Sequence, residues 1–368
     1  ASNGSASLTS VLTALYFHTL GPGDVVAVKA QAAPAFYAIQ YLLGRLPAEA
    51  LTTLRAFGGL QAYPSRRKNP EIVDLSTGSM GLGAVAATFG ALATRYLGDH
   101  FGVRHPERFI VLVGVYSPTL KRAPAPDAPQ AMQWRESPAG QHVEIGIAEH
   151  NLFLALAAFG LTRELSGVTL LPVGTLYDPF VTRGLDALYH ALYAGARFIL
   201  AATPSGVSLS PEGGAHQSVI TPGIGIALPG IVYHEPAFAQ EVEWILLDAM
   251  RTIAAPEGGE SRYLRLSTKP VDQSLAPPAT EEQRARVLRG GYRLMDGRVE
   301  PGWDPESNAV HIFAAGVMVP EAVEASRALR ERGVWASVFA VTSPDLLYRD
   351  SREPRPYTRK MRASTTRS

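Results

Sequence analysis

The 368 residues contain no cysteine, which excludes disulfides, a thiolate nucleophile, iron–sulfur clusters and thiolate zinc sites. Any chemistry must therefore come from His, Asp, Glu, Ser or a bound cofactor. Charge is scarce too: 18% of residues are charged, and 34 basic against 33 acidic side chains leave a net charge of +1. Near-neutral charge without a basic stripe, the last twenty residues aside, argues against nucleic acid as the main partner. No apolar run reaches the ~18 residues needed to span a bilayer. The opening residues, ASNGSASLTS, lack the charged-then-apolar layout of a secretory signal, so the expected location is cytoplasmic. Also missing are H-E-x-x-H, G-x-S-x-G, G-x-G-x-x-G and G-x-x-x-x-G-K-[ST], so zinc-hydrolase, nucleophile-elbow, dinucleotide and P-loop readings have no support. What is abundant is apolar residues, at 46%, with 34 Gly and 28 Pro. That suits a core-forming α/β chain of two or three domains with many strand-to-helix turns.

Short β-branched runs alternate with Ala/Leu-rich stretches of helical period, the pattern of parallel sheets covered by helices. Val25 to Val28 reads as a strand, and Pro34 and Pro47 each open a helix. The glycine turn Ser79-Met80-Gly81-Leu82-Gly83 feeds a helix from Ala84 to Tyr96. Phe109 to Val113 reads as a buried strand, and Lys121 to Pro138 as loop. Strands are then expected at Val143 to Ile147, Gly167 to Val173, Arg197 to Ala201 and Arg262 to Leu266. Helices are expected at Glu149 to Phe159, Pro179 to Tyr193 and Glu241 to Ile253. Pro270 to Glu282 has the composition of a linker. The pattern restarts with a strand at Ala309 to Ala314, a helix at Pro320 to Glu331 and a strand at Trp335 to Val341. The tail after Arg349 has too few apolar residues to close a third domain.

Four places could carry chemistry, and each has a bland reading beside the functional one. The Ser79–Gly83 turn lets the backbone approach a ligand and aims N–H groups at an anion, but it is equally a tight turn. Glu149, followed by His150 and Asn151, begins a helix, where a carboxylate gains from the macrodipole. It also lies at the carboxyl end of an expected strand, where open α/β sheets bind ligands. In the loop Ser210 to Ser218, His216 can transfer protons near neutral pH or simply be solvated. Tyr177 and Phe180 follow a strand, and aromatics at that spacing more often fill a core than hold a ring.

Taken in order, these motifs resemble the thiamine diphosphate-dependent transketolase superfamily, and most closely the homodimeric type of pyruvate dehydrogenase decarboxylating component. The resemblance runs from Ala1 to about Arg349 and includes YAIQYLLGRLPAEAL, Leu60-Gln61-Ala62-Tyr63-Pro64-Ser65, the Ser79–Gly83 turn, Gly114-Val115-Tyr116-Ser117-Pro118, the Gly-Ile-x-Glu signature ending at Glu149, the Glu212–Ser218 loop and Val341-Thr342-Ser343. It implies three-layer parallel-sheet domains: a partial diphosphate-binding domain over 1–102, a pyrimidine-binding domain over 103–275 and a partial transketolase C-terminal-like domain over 276–368. It further implies thiamine diphosphate with Mg2+ as cofactor. Glu149 would hydrogen-bond the aminopyrimidine ring nitrogen, and Tyr177 and Phe180 would lie against that ring. Met80, Gly81, Leu82 and Gln31 would approach the cofactor, and His216 would position the substrate carboxylate or assist proton transfer. The implied reaction is decarboxylation of a 2-oxo acid, pyruvate or a close homologue, with acyl transfer to a lipoyl group. The implied partners are a second copy of the chain and a dihydrolipoyl acyltransferase, with no nucleic acid and no membrane.

The departures are specific. The family's Gly-Asp-Gly…Asn metal and diphosphate motif is expected after the helix containing Tyr96, but the chain passes from Gly98-Asp99-His100-Phe101-Gly102 directly to Val103 and the next strand. No metal ligand is therefore assigned. A helix is also missing at Val113/Gly114, and Gln31 stands where the family often carries a diphosphate-contacting His. A buried strand needs a crossover before its next parallel neighbour, so these junctions fit joined segments of a longer enzyme better than a degenerate chain. Two other functions stay open: transketolase-type ketol transfer between sugar phosphates, and a non-catalytic paralogue acting as a binding or scaffold subunit.

Overall fold

A computed structural model describes residues 3–78, 82–102, 109–111, 141–256 and 259–350. Met80, Gly81, Val103, the GVYSP motif, the Val113/Gly114 junction and the expected 121–138 loop lie outside these residues. The chain divides into two compact units, one of residues 1–143 with Leu209–Gln217, the other of residues 144–208 with 218–368.

In the first unit, β1 (Val25–Ala27) pairs in parallel with β2 (Phe109–Val111), Val25 opposite Phe109. The helix Ala33–Leu42 has Pro34 in its first turn, where a missing N–H costs nothing. It buries Phe36, Tyr37 and Ile39 against Leu12, Val26 and Val73. The backbone N–H of Val26 donates to Asp74 at 2.9 Å, which satisfies a strand donor that the two-stranded sheet leaves over. The glycine-fed helix runs over Leu82–Phe101.

In the second unit, β3 (Val173–Leu176), β4 (Ile199–Ala202), β5 (Ile231–His234) and β6 (Ser261–Arg265) form an all-parallel sheet in the order β3-β4-β6-β5. β5 and β6 are buried throughout, as expected of strands whose two faces are both covered. The helices Glu149–Gly160 and Leu185–Tyr193 cover one face through Phe153, Leu156 and Leu188. On the other face, Ala239–Ala254 packs Ile245, Ala249 and Ile253 against Ile199 and Leu264. β7 (Gly291–Met295), β8 (Ala309–Ala314) and β9 (Trp335–Val341) make a smaller sheet in the order β7-β9-β8, with β8 parallel and β7 antiparallel to β9. Parallel sheets flanked by helices give the α/β class expected from the sequence.

Several local expectations are corrected. Val143 to Ile147 is not a strand: it pairs with nothing among the described residues, and Val143 and Ile147 are exposed. The strand expected at Gly167 to Val173 lies later, at Val173–Leu176. Pro179 to Tyr193 is not one helix but a 3-10 segment, Asp178–Gly184, followed by Leu185–Tyr193. β5 and β7 were not anticipated. Among the described residues no helix is long and apolar enough to cross a membrane.

Candidate active site

The site in the second unit begins at Gly146, whose φ of +75° is a left-handed turn that favours glycine. Three residues on, Glu149 opens its helix, its side chain only 12% exposed. Opposite it lies the 3-10 segment Asp178–Gly184. Gly184 permits the approach: a Cβ there would stand 2.6 Å from Phe153 Cδ2 and 2.9 Å from His150 Cα. Arg183 thereby reaches Glu149, its Nη1 3.5 Å from Oε1. The same guanidinium lies over the Phe180 ring, 3.9 Å from its centroid, well inside cation–π range. Tyr177 and Phe180 adjoin each other at 5.4 Å between centroids. The structure thus brings Glu149, Tyr177 and Phe180 together through Arg183. In a 3-10 segment residues i and i+3 eclipse, so the spacing of Tyr177, Phe180 and Arg183 was readable once that conformation is known.

This segment is anchored from below. Asp178 is fully buried and accepts from Tyr263 Oη at 2.8 Å, Thr221 Oγ1 at 3.1 Å, Arg265 Nε at 3.0 Å and the Ser218 hydroxyl. Arg265 also donates to Glu235 at 2.7 Å and to Ser218 Oγ at 2.9 Å. Burial works against its charge, but Glu235 and Asp178 outweigh that and raise its pKa. Tyr233 Oη donates to the other Glu235 oxygen at 2.5 Å, and burial together with that carboxylate holds the phenol far above its ordinary range. Sequence reasoning missed this network. Its one signal was an arginine inside the apolar run Arg262 to Leu266.

His216 belongs to the first unit and is buried. The Tyr63 ring lies against its imidazole at 4.8 Å between centroids. Tyr63 Oη donates to Glu212 Oε2 at 2.7 Å, and Arg55 Nη1 meets Oε1 at 3.0 Å. Burial pushes the Glu212 pKa up, but Tyr63, Arg55 and the nearby imidazole prevail and lower it. Gln31 sits elsewhere in the first unit, in the short turn Ala30–Ala32 that leads into the helix Ala33–Leu42, and is half-buried. Leu82 begins the helix Leu82–Phe101.

The carboxylate and the aromatic pair lie in a unit whose parallel sheet is covered on both faces, an α/β class in which ligands bind at the carboxyl ends of the strands. Residues 98–269 match the family described as the pyruvate dehydrogenase E1 component middle domain. The pyruvate dehydrogenase E1 component of Mycobacterium tuberculosis is 30% identical over 232 residues, 61% of this chain and 24% of that protein. The Escherichia coli K12 protein of the same name is 24% identical, with 66% and 27% covered. Dihydroxyacetone synthase of Candida boidinii is 28% identical over 202 residues, with 55% and 26% covered. Among solved structures, transketolase from Campylobacter jejuni is 18% identical with a TM-score of 0.47, covering 59% of this chain and 30% of that one. The matched segment is similar to the middle domain of pyruvate dehydrogenase E1 components, proteins of the thiamine diphosphate-dependent, transketolase-like superfamily. The chain spans about a quarter of the length of the curated relatives it matches.

Proposed function

We propose that the chain carries the aminopyrimidine side of a thiamine diphosphate site and takes part in decarboxylation of a 2-oxo acid, pyruvate or a close homologue, with acyl transfer to a lipoyl group of a partner acyltransferase. The observation that carries this reading is the grouping of Glu149, Arg183, Phe180 and Tyr177. A largely buried carboxylate beside two adjoining aromatic rings, tilted by 33° to each other, supports the placing of an aminopyrimidine there. When bound, the cofactor would supply the carbanion that no side chain here can provide.

The chain's own residues bind and orient. Glu149 accepts a hydrogen bond from a ring nitrogen and holds a proton at that atom, and Arg183 balances its charge. Tyr177 and Phe180 hold the ring flat and exclude water from one face. His216 positions the substrate carboxylate or moves a proton near it. Gln31, Met80, Gly81 and Leu82 belong to the cofactor-facing backbone of the same reading. No residue is assigned to magnesium: among the described residues there is no group of three His, Asp or Glu that could hold a metal ion. The three-domain division at 102 and 275, a homodimeric assembly and a cytoplasmic location belong to the same proposal.

The test is isothermal titration with thiamine diphosphate and magnesium, followed by carbon dioxide release from pyruvate. Glu149→Gln should leave cofactor affinity within a few-fold of the parent and lower turnover at least about 100-fold, the scale expected for a positioned acid–base group. Turnover like that of the parent would remove Glu149 from this role. The Gly-Gly-Ala-His-Gln sequence at 213–217 favours a second reading, ketol transfer between sugar phosphates. Cofactor binding with ketol transfer and no carbon dioxide release would select it. A chain that binds no cofactor would be the scaffold paralogue.

A further inference from the structure

We infer that Glu212 and Tyr63 are positioning residues for His216, clamping the segment that carries it and setting the charge its imidazole faces. The inference rests on the reading of His216 as a substrate-facing group, and it begins from a strained residue. Arg55 has φ of +69°, the only non-glycine among the described residues with positive φ. That conformation is strained for a residue with a side chain and persists where surrounding contacts over-determine it. Here the Arg55 N–H donates to Leu60 O at 2.9 Å, and Leu60 N–H donates to Thr53 Oγ1 at 3.2 Å, closing the turn. The guanidinium is delivered to Glu212.

Both Glu212 oxygens are used, one by Arg55 at 3.0 Å and the other by Tyr63 Oη at 2.7 Å. The hydroxyl bond fixes the Tyr63 ring, and that ring is what the imidazole packs on, tilted by 47°. His216 N–H donates to Gly213 O at 3.1 Å, so the imidazole and Glu212 share one short turn. A single carboxylate therefore holds the loop through Arg55, fixes the aromatic wall through Tyr63, and presents negative charge to His216. The titratable and charged groups around it include Glu212, Arg55 and Tyr63. A bare surface ion pair between Arg55 and Glu212 would contribute little; the phenol bond and the ring contact tie this one to the histidine.

The test needs no cofactor. The His216 ring resonance of the unloaded full chain is assigned by its loss in His216→Gln and followed through pH by NMR. Glu212→Gln keeps a hydrogen-bond acceptor but removes the charge, and should lower the His216 midpoint by about 0.5 pH unit or more, because an adjacent carboxylate favours the protonated imidazole. Tyr63→Phe keeps the ring and removes the bond, and should broaden or shift the same resonance with the far-UV spectrum unchanged. Where the chain turns over substrate, Tyr63→Phe should lower kcat about tenfold in the parent background and have no further effect in His216→Gln. A His216 titration unmoved in both Glu212→Gln and Tyr63→Phe overturns the inference, as does a Tyr63→Phe loss that persists at full size without His216. Failure of the cofactor reading shows separately, in the Glu149→Gln titration.

Discussion

Arg265→Met is the perturbation whose size the structure fixes best. The arginine is 3% exposed and lies between two carboxylates, Asp178 and Glu235, which are 0% and 15% exposed. Methionine fills most of the same volume with no charge, so the loss is electrostatic and not a cavity. Removing one member of a buried pair strands the other and costs about 3–5 kcal/mol. Asp178 keeps neutral donors from Tyr263, Thr221 and Ser218, which places the expected loss toward the lower end of that range. Against a total stability of roughly 5–15 kcal/mol, this is a large share. With a urea slope near 3 kcal/mol per molar, the unfolding midpoint falls by about 1 M. Trp244, Trp303 and Trp335 lie in this unit, so tryptophan fluorescence reads the transition. Asp178→Asn combined with Arg265→Met should recover part of the loss, with a coupling of at least about 1 kcal/mol. A single variant within about 1 kcal/mol of the parent, or strict additivity in the double variant, refutes the reasoning.

Three further outcomes follow from the same geometry. Gly184→Ala drives a methyl toward Phe153 and the His150 backbone and should destabilise by about 1–3 kcal/mol, while weakening cofactor binding because Arg183 and Phe180 move away from Glu149; unchanged binding in a folded variant would show that the approach is unimportant. His234 is buried, and that burial lowers its pKa to about 3. Because the folded imidazole releases its proton more readily than the unfolded one, its contribution is whole above the ordinary histidine value and is lost as pH falls toward 3. His234→Phe should flatten the stability–pH curve between about 6.5 and 3 in chemical denaturation, and a curve as steep as the parent's would contradict this. Glu212 has a lowered pKa, so its clamp is complete above the ordinary carboxylate value and is lost as pH falls through the folded one; hydrogen exchange of residues 209–217 should rise over that range and stay flat with pH in Glu212→Gln.

The sequence by itself determined the class of the fold and the stations of its parts. Short apolar and β-branched runs marked β4, β6, β8 and β9 because such residues favour strands, whereas helices repeat at 3.6 residues. The motifs that single out Glu149, Tyr177, Phe180 and His216 could be located in the sequence because glycine turns and signature residues are local. Tertiary structure decided the rest. Val143 to Ile147 looked like a strand, but β-propensity describes a surface waiting for a neighbour, and none is paired with it among the described residues. β5 was hidden because His234 and Glu235 sit at its end, and the Glu235 carboxylate is accommodated there only because Arg265 and Tyr233 reach it. Arg183 acquired meaning only when the expected helix became a 3-10 segment that set it over Phe180 and against Glu149. Asp178 and Arg265 stand 87 residues apart, and Arg55 and Glu212 157 apart. Long-range ion pairs leave no local periodicity: the partners meet only after the chain has folded, and the low-dielectric interior that strengthens the buried Asp178–Arg265 pair exists only then.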